Sequence, residues 1–136
     1  YSFVEYKVRK SRIQFINEAD SGLMIFIDPH DFEQVALNLF INAIQAMGDG
    51  GSLKVRGYRE DSKIKVEVSD TGSGIAQENI GKIFDPFFTT KPPGEGTGLG
   101  LWLTYEIIRN YNGEISVESE AGKGSTFAMS FPAEQN

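Results

Sequence analysis

Between Asp70 and Gly100 the chain loses every hydrophobic period, and this stretch limits what the whole can fold into. It leaves the end of an alternating apolar segment, is rich in Gly, Pro and Thr, and delivers the chain to the start of a helical pattern. Loops of that length are uncommon inside a compact domain and are usually functional.

On either side the periodicity is clear. Phe32, Val35, Ala36, Leu39, Phe40, Ala43 and Met47 follow the i, i+3, i+4, i+7 spacing of a helix over Pro29–Met47. Asp28 is its predicted N-cap, with Pro29 at the first helical position and Gly48 at its end. Two short apolar segments precede it, Ser11–Glu18 and Leu23–Asp28, and read as strand–turn–strand around residues 19–22. Ser52–Arg59 and Lys63–Ser69 alternate as a hairpin turning at residues 60–62. A short helix is predicted near Gln77–Ile83. A longer one spans Gly98–Asn112, capped by Thr97 and followed by Gly113. Glu114–Glu118 and Ser125–Phe131 close a last hairpin. Strands and helices do not alternate regularly. The expected class is α+β, a two-layer sandwich with helices on one face of a mainly antiparallel sheet.

The 136 residues suit one domain, expected over residues 11–132, with residues 1–10 as the remnant of an upstream linker and 133–136 as a tail. No initiator Met or signal peptide opens the chain, which suggests a piece of a longer protein. Nineteen acidic against thirteen basic residues give a net charge of −6, which disfavours nucleic acid and anionic membranes. Any bound phosphate must then be held by local geometry. Cysteine is absent, which removes disulfides, thiolate catalysis and Cys-ligated metals. The longest wholly apolar run, Leu23 to Ile27, is far short of the ~20 residues that span a bilayer.

Four segments carry candidate chemistry. On the first helix Gln34, Asn38, Asn42 and Gln45 form a polar line, and no charged residue occurs from Gln34 to Gly48. Such a face either lines an internal polar site or holds buried, satisfied amides. Asn38 and Asn42 lie one turn, about 6 Å, apart, so both oxygens could face one cation or phosphate. Asp70-Thr71-Gly72-Ser73-Gly74-Ile75 ends an apolar strand. Asp70 either accepts from an amine such as the adenine amino group or starts a turn. Gly94-Glu95-Gly96-Thr97-Gly98-Leu99-Gly100-Leu101 opens the second helix, where N–H groups and the dipole favour anions. It fits neither the Rossmann nor the P-loop spacing, and a flexible hinge is the alternative. Phe84-Asp85-Pro86-Phe87-Phe88 precedes it, suited to anchoring a lid to the body or a partner. Lys91 either reaches a phosphate or is a solvated loop lysine.

Taken together, these segments resemble the N, G1, F and G2 boxes of sensor histidine kinases, in that family's order and over nearly the whole chain. The stretch Phe88-Thr89-Thr90-Lys91-Pro92 through Gly96 looks most like the nitrogen-regulation type. The resemblance implies the family's ATP-binding catalytic domain, with ATP and Mg²⁺ as cofactors. It assigns Mg²⁺ to Asn42 with Asn38 assisting, and the adenine pocket to Asp70, Gly72, Gly74 and Ile75. Lys91, Gly96, Thr97, Gly98, Leu99, Gly100 and Leu101 fall to the lid and phosphates. Ser125 matches a hydroxyl that supports the adenine-binding Asp in the wider superfamily.

Implied partners are a histidine-bearing dimerisation domain of the same protein and a response regulator receiver domain. No nucleic acid, no direct membrane contact, a monomeric fragment and a cytoplasmic setting are expected. Topoisomerases and chaperone ATPases of the superfamily carry a general-base Glu four residues before the metal Asn, where this chain has Asn38. An amide cannot take a proton at neutral pH, which disfavours hydrolysis. His30, the sole histidine, opens the helix that carries the N box and is expected to be an exposed first-turn residue, so the phosphoacceptor lies outside this chain. A non-catalytic nucleotide-binding module of the same fold is the alternative.

Overall fold

A computed structural model describes residues 13–20, 22–48, 50–89 and 98–133. Eight elements follow in order: β1 (Ile13–Ala19), α1 (Pro29–Met47), β2 (Gly51–Glu60), β3 (Lys63–Asp70), α2 (Gln77–Ile80), α3 (Gly100–Asn110), β4 (Glu114–Glu120) and β5 (Gly124–Pro132). The strands form one sheet ordered β1-β2-β3-β5-β4. Only β1 and β2 are parallel, in register from Ile13 opposite Gly51 to Ala19 opposite Gly57. The other pairs are antiparallel, and α1 is the connection that joins the parallel pair. The α+β sandwich expected from the sequence is the observed fold.

Each strand turns alternate residues toward the helices, as the pleat requires. Leu53, Val68, Phe127 and Met129 bury on that face against Val35, Leu39, Ala43 and Met47 of α1 and Ile108 of α3. Phe84 joins this core edge-on to Phe127, with ring centroids 6.3 Å apart. The capping reading of α1 holds: the Asp28 carboxylate accepts the His30 backbone N–H at 2.8 Å, and Gly48 follows the last turn at φ +60°.

Two expectations fail. Leu23–Asp28 makes no strand. Its alternation is real, since Leu23, Ile25 and Ile27 are half-buried while Met24 and Phe26 are exposed. Ile25 and Ile27 pack on the core through their side chains alone, so the alternation records that packing and not a ladder, and β1 keeps β2 as its single neighbour in the sheet order. The second long helix begins at Gly100 rather than Gly98. Gly98 is held at φ +73° and its carbonyl accepts the Phe87 N–H at 2.8 Å, which bars helical continuation there. Leu99 takes the cap position, and Thr97, the expected cap, lies outside the described residues.

Leu39→Ala removes a fully enclosed side chain and should cost about 2–5 kcal/mol in urea unfolding. Met24→Ala, at a site 69% exposed, should stay within about 0.5 kcal/mol. Equal costs for the two would contradict this placement of the core.

Candidate functional site

Three strands bring a row of polar residues to one end of the helix-facing side. Asp70 closes β3 opposite Ser125 of β5, and Ser125 stands opposite Ser119 of β4. Asp70 is buried, and its Oδ1 accepts the Gly72 backbone N–H at 2.8 Å. Burial pushes its carboxyl above the usual carboxylate range, while the Gly72 and Ser125 backbone N–H groups pull it part of the way back. The Ser119 hydroxyl donates to Gly124 O at 3.0 Å and lies 2.8 Å from the Ser125 hydroxyl, which is thereby left as the donor of that pair. Ser119 also accepts the Ile75 N–H at 2.7 Å and so fixes the chain that leaves Asp70. Motif reading missed Ser119. Its signal was a serine in the inward row Ile115, Val117, Ser119, where the period calls for an apolar residue.

The loop after Asp70 is fastened at both flanks. Ser73 donates its N–H to Ala46 O of α1 at 3.0 Å and accepts the Gly122 N–H at 2.6 Å. Gly74 sits at φ +73°, and a Cβ there would lie 2.1 Å from Glu120 O, so no other residue fits without moving the β4–β5 turn. Ile75 packs its side chain on the core. Asp70, Gly72, Gly74, Ile75 and Ser125 therefore come together as one rigid rim against the last turn of α1.

A second group gathers on α1 and at the start of α3. Asn38 donates through Nδ2 to Gly100 O at 3.2 Å and Thr104 Oγ1 at 3.3 Å, and its Oδ1 accepts from Gln34 Nε2 at 3.0 Å. Asn42, one turn on and half-buried, makes no side-chain hydrogen bond with any described residue. Gly98, Leu99 and Gly100 enter α3, and Leu101 packs on the core. The eight steps from Asn38 to Ala46 span about 12 Å of helix, so α1 carries both groups.

The aromatic segment divides. Phe84 and Phe88 pack on the core, whereas Phe87 is exposed at φ +68° and touches the body through its backbone bond to Gly98. Lys91, Gly96 and Thr97 lie outside the described residues. His30 is exposed in the first turn of α1. Among the described residues no three His, Asp or Glu side chains converge to hold a metal by themselves. Among the described residues, the Asn42 carboxamide is an oxygen ligand at this end that no side-chain hydrogen bond engages. That set suits Mg²⁺, which takes few protein ligands and completes its shell with water and substrate phosphates.

Residues 27–135 match the family described as histidine kinase-, DNA gyrase B-, and HSP90-like ATPases. The chain is 46% identical over 105 residues to sensor histidine kinase ZraS of Escherichia coli, covering 77% of this chain and 22% of that protein. It is 42% identical over 125 residues to the signal transduction histidine-protein kinase AtoS of the same organism, covering 90% of this chain and 20% of AtoS. The chain thus spans about a fifth of the length of these relatives. The catalytic domain of histidine kinase ThkA, in a nucleotide-free form, superposes with a TM-score of 0.86 at 38% identity, covering 98% of this chain and 87% of that one. No helix among the described residues is long and apolar enough to cross a membrane. With its fold, its motif order and its relatives in agreement, the chain belongs to this ATPase family, as an ATP-binding catalytic domain of the sensor histidine kinase kind.

Proposed function

We propose that this domain holds Mg·ATP and presents the γ-phosphate to a histidine carried by a separate dimerisation domain, for relay to a response regulator. The observation that carries the reading is the buried Asp70 carboxylate. One of its oxygens is committed to the Gly72 N–H, and its charged form is destabilised by burial. A group in that state gains by accepting from an outside donor, and the adenine amino group is such a donor. Gly72, Gly74, Ile75 and Ser125 shape the pocket around it.

At the other end Asn42 would hold Mg²⁺, with Asn38 beside it. Residues 96–101 and Lys91, named by the motif, would meet the phosphates at the helix start. Mg²⁺ held there would supply the charge neutralisation that the phosphates need. Transfer then rests on positioning and charge neutralisation, which is the main demand of phosphoryl transfer. The attacking group is a neutral imidazole, already a nucleophile, so this domain needs no general base. Asn38 in place of Glu fits that division of labour and leaves water without activation. On this reading residues 11–132 are the working unit, other domains of the protein supply the histidine, and the unit works in the cytoplasm as a monomeric module.

Calorimetric titration tests the pocket. ATP should bind the wild type saturably and more tightly with Mg²⁺, whereas Mg²⁺ alone should give no heat. Asp70→Asn should abolish binding, because the Gly72 N–H holds the amide oxygen and turns an NH₂ toward the adenine amino group. Retained binding in that variant would remove the adenine assignment.

The same substitution carries a sign for stability. Asp70 has its carboxyl pKa raised by folding, so the fold keeps its full stability below the unfolded value of about 4 and loses stability as pH rises through the folded value. Asp70→Asn should therefore unfold at a higher temperature than wild type at pH 7, with the gap narrowing toward pH 4. A variant less stable at pH 7 would contradict the desolvation cost.

With labelled ATP, this chain alone should leave no stable label on His30 and should release phosphate no faster than buffer. Adding a cognate histidine-bearing domain should yield acid-labile label on that domain. Binding without any transfer would favour a nucleotide-sensing module instead.

A further inference from the structure

Thr104 is wholly enclosed, one turn into α3, on a helix face that otherwise meets the core through Leu101 and Ile108. Its hydroxyl donates to the Gly100 carbonyl at 2.9 Å. A buried helical threonine commonly satisfies itself this way and needs no other partner. Here the oxygen has a second role, since it accepts from Asn38 Nδ2 of α1 at 3.3 Å. The same nitrogen reaches Gly100 O at 3.2 Å. Both amide hydrogens of Asn38 therefore end on the first turn of α3, and its oxygen is held by Gln34. Asn38 and Thr104 are 66 residues apart in sequence, and their bond ties the helix bearing Asn42 to the helix start entered through Gly98 and Leu99.

We propose that Thr104 is a positioning residue for the phosphates. Acting through Asn38, it sets the first turn of α3 in register with Asn42, so that both meet one triphosphate. The inference rests on the nucleotide site proposed above. Without the hydroxyl, one Asn38 hydrogen loses its acceptor and the Gly100 carbonyl loses a donor. The amide turns to water and the α3 start is no longer fixed against α1. The adenine end is held independently, by Ser73 on Ala46 and by Ile75 on Ser119, and does not sense the change. The two helices stay together, because the Tyr111 hydroxyl after α3 donates to the Asp31 carboxylate in the first turn of α1.

The test compares adenosine, which reads the adenine end alone, with Mg·ATP, by calorimetric titration into this chain. Thr104→Val, of the same shape, should bind adenosine within about twofold of wild type and Mg·ATP about tenfold more weakly, the size of a lost buried hydrogen bond. Thr104→Ser should restore Mg·ATP binding. Asn38→Ala combined with Thr104→Val should bind Mg·ATP no more weakly than Asn38→Ala alone, because both act through one bond. Unchanged Mg·ATP affinity in Thr104→Val, parallel loss of both ligands, or additive losses in the double variant would each overturn the proposal. Should Thr104→Val not fold, Thr104→Cys fills the same space with a poor acceptor and carries the same comparison. A wild type that binds neither ligand removes the nucleotide reading, and the role of Thr104 with it.

Discussion

Helix α1 has one rotational setting about its axis, and the site follows from it. Val35, Leu39, Ala43 and Met47 form a seam that is buried on the sheet. Val35, Leu39 and Met47 each contribute roughly 1.5–3 kcal/mol on burial, against about 1 kcal/mol for a typical hydrogen bond. Packing therefore decides the setting, and the polar contacts are made wherever it leaves them. It leaves Asn38 facing α3 and the Ala46 carbonyl facing the loop after Asp70. Turning the helix by one residue would move the seam by about 100° and separate both groups at once.

The rim around Asp70 shows the opposite balance. A carboxylate at a sheet end could lie in water at no cost, yet this one is buried and raised in pKa. The structure around it limits that cost without removing it. Two backbone N–H groups meet the carboxyl, and the Ser125–Ser119 pair fastens the strands and loop that enclose it. A desolvation cost of this sort persists where neighbours fix the geometry, and perturbed carboxyls of this kind cluster at functional sites.

How far the sequence reveals this depends on the range of the interaction. The bounds of α1 were legible because both signals are local: Asp28 and Pro29 at one end, Gly48 at the other. Hairpin β2–β3 was legible for the same reason. The parallel pairing of β1 with β2 was not, since Leu23–Ile27 alternates like a strand and only the partner chosen by β1 distinguishes the two outcomes. The start of α3 was misjudged because the Phe87 bond to Gly98 joins residues on either side of a long loop. Asp70, Gly72 and Gly74 stood out as a motif, whereas Ser119 is one serine among many until register puts it beside Ser125. Asn38 was visible as a residue, but its partner on α3 was not.

Those partners also bear on what chemistry position 38 permits. An amide whose oxygen accepts from Gln34 and whose hydrogens meet Gly100 and Thr104 is fixed in place, and a carboxamide oxygen is too weakly basic to take a proton at neutral pH. A carboxylate there would face the Gly100 carbonyl and repel it, so a single change to Glu would break the α1–α3 tie before it supplied a base. On the proposed reading, a bias against hydrolysis would be built into the same bonds that align the helices, and a nucleophile that needs activation would find none here. Only a partner arriving with a reactive lone pair of its own, as a neutral imidazole does, matches a site that offers alignment and charge without a base.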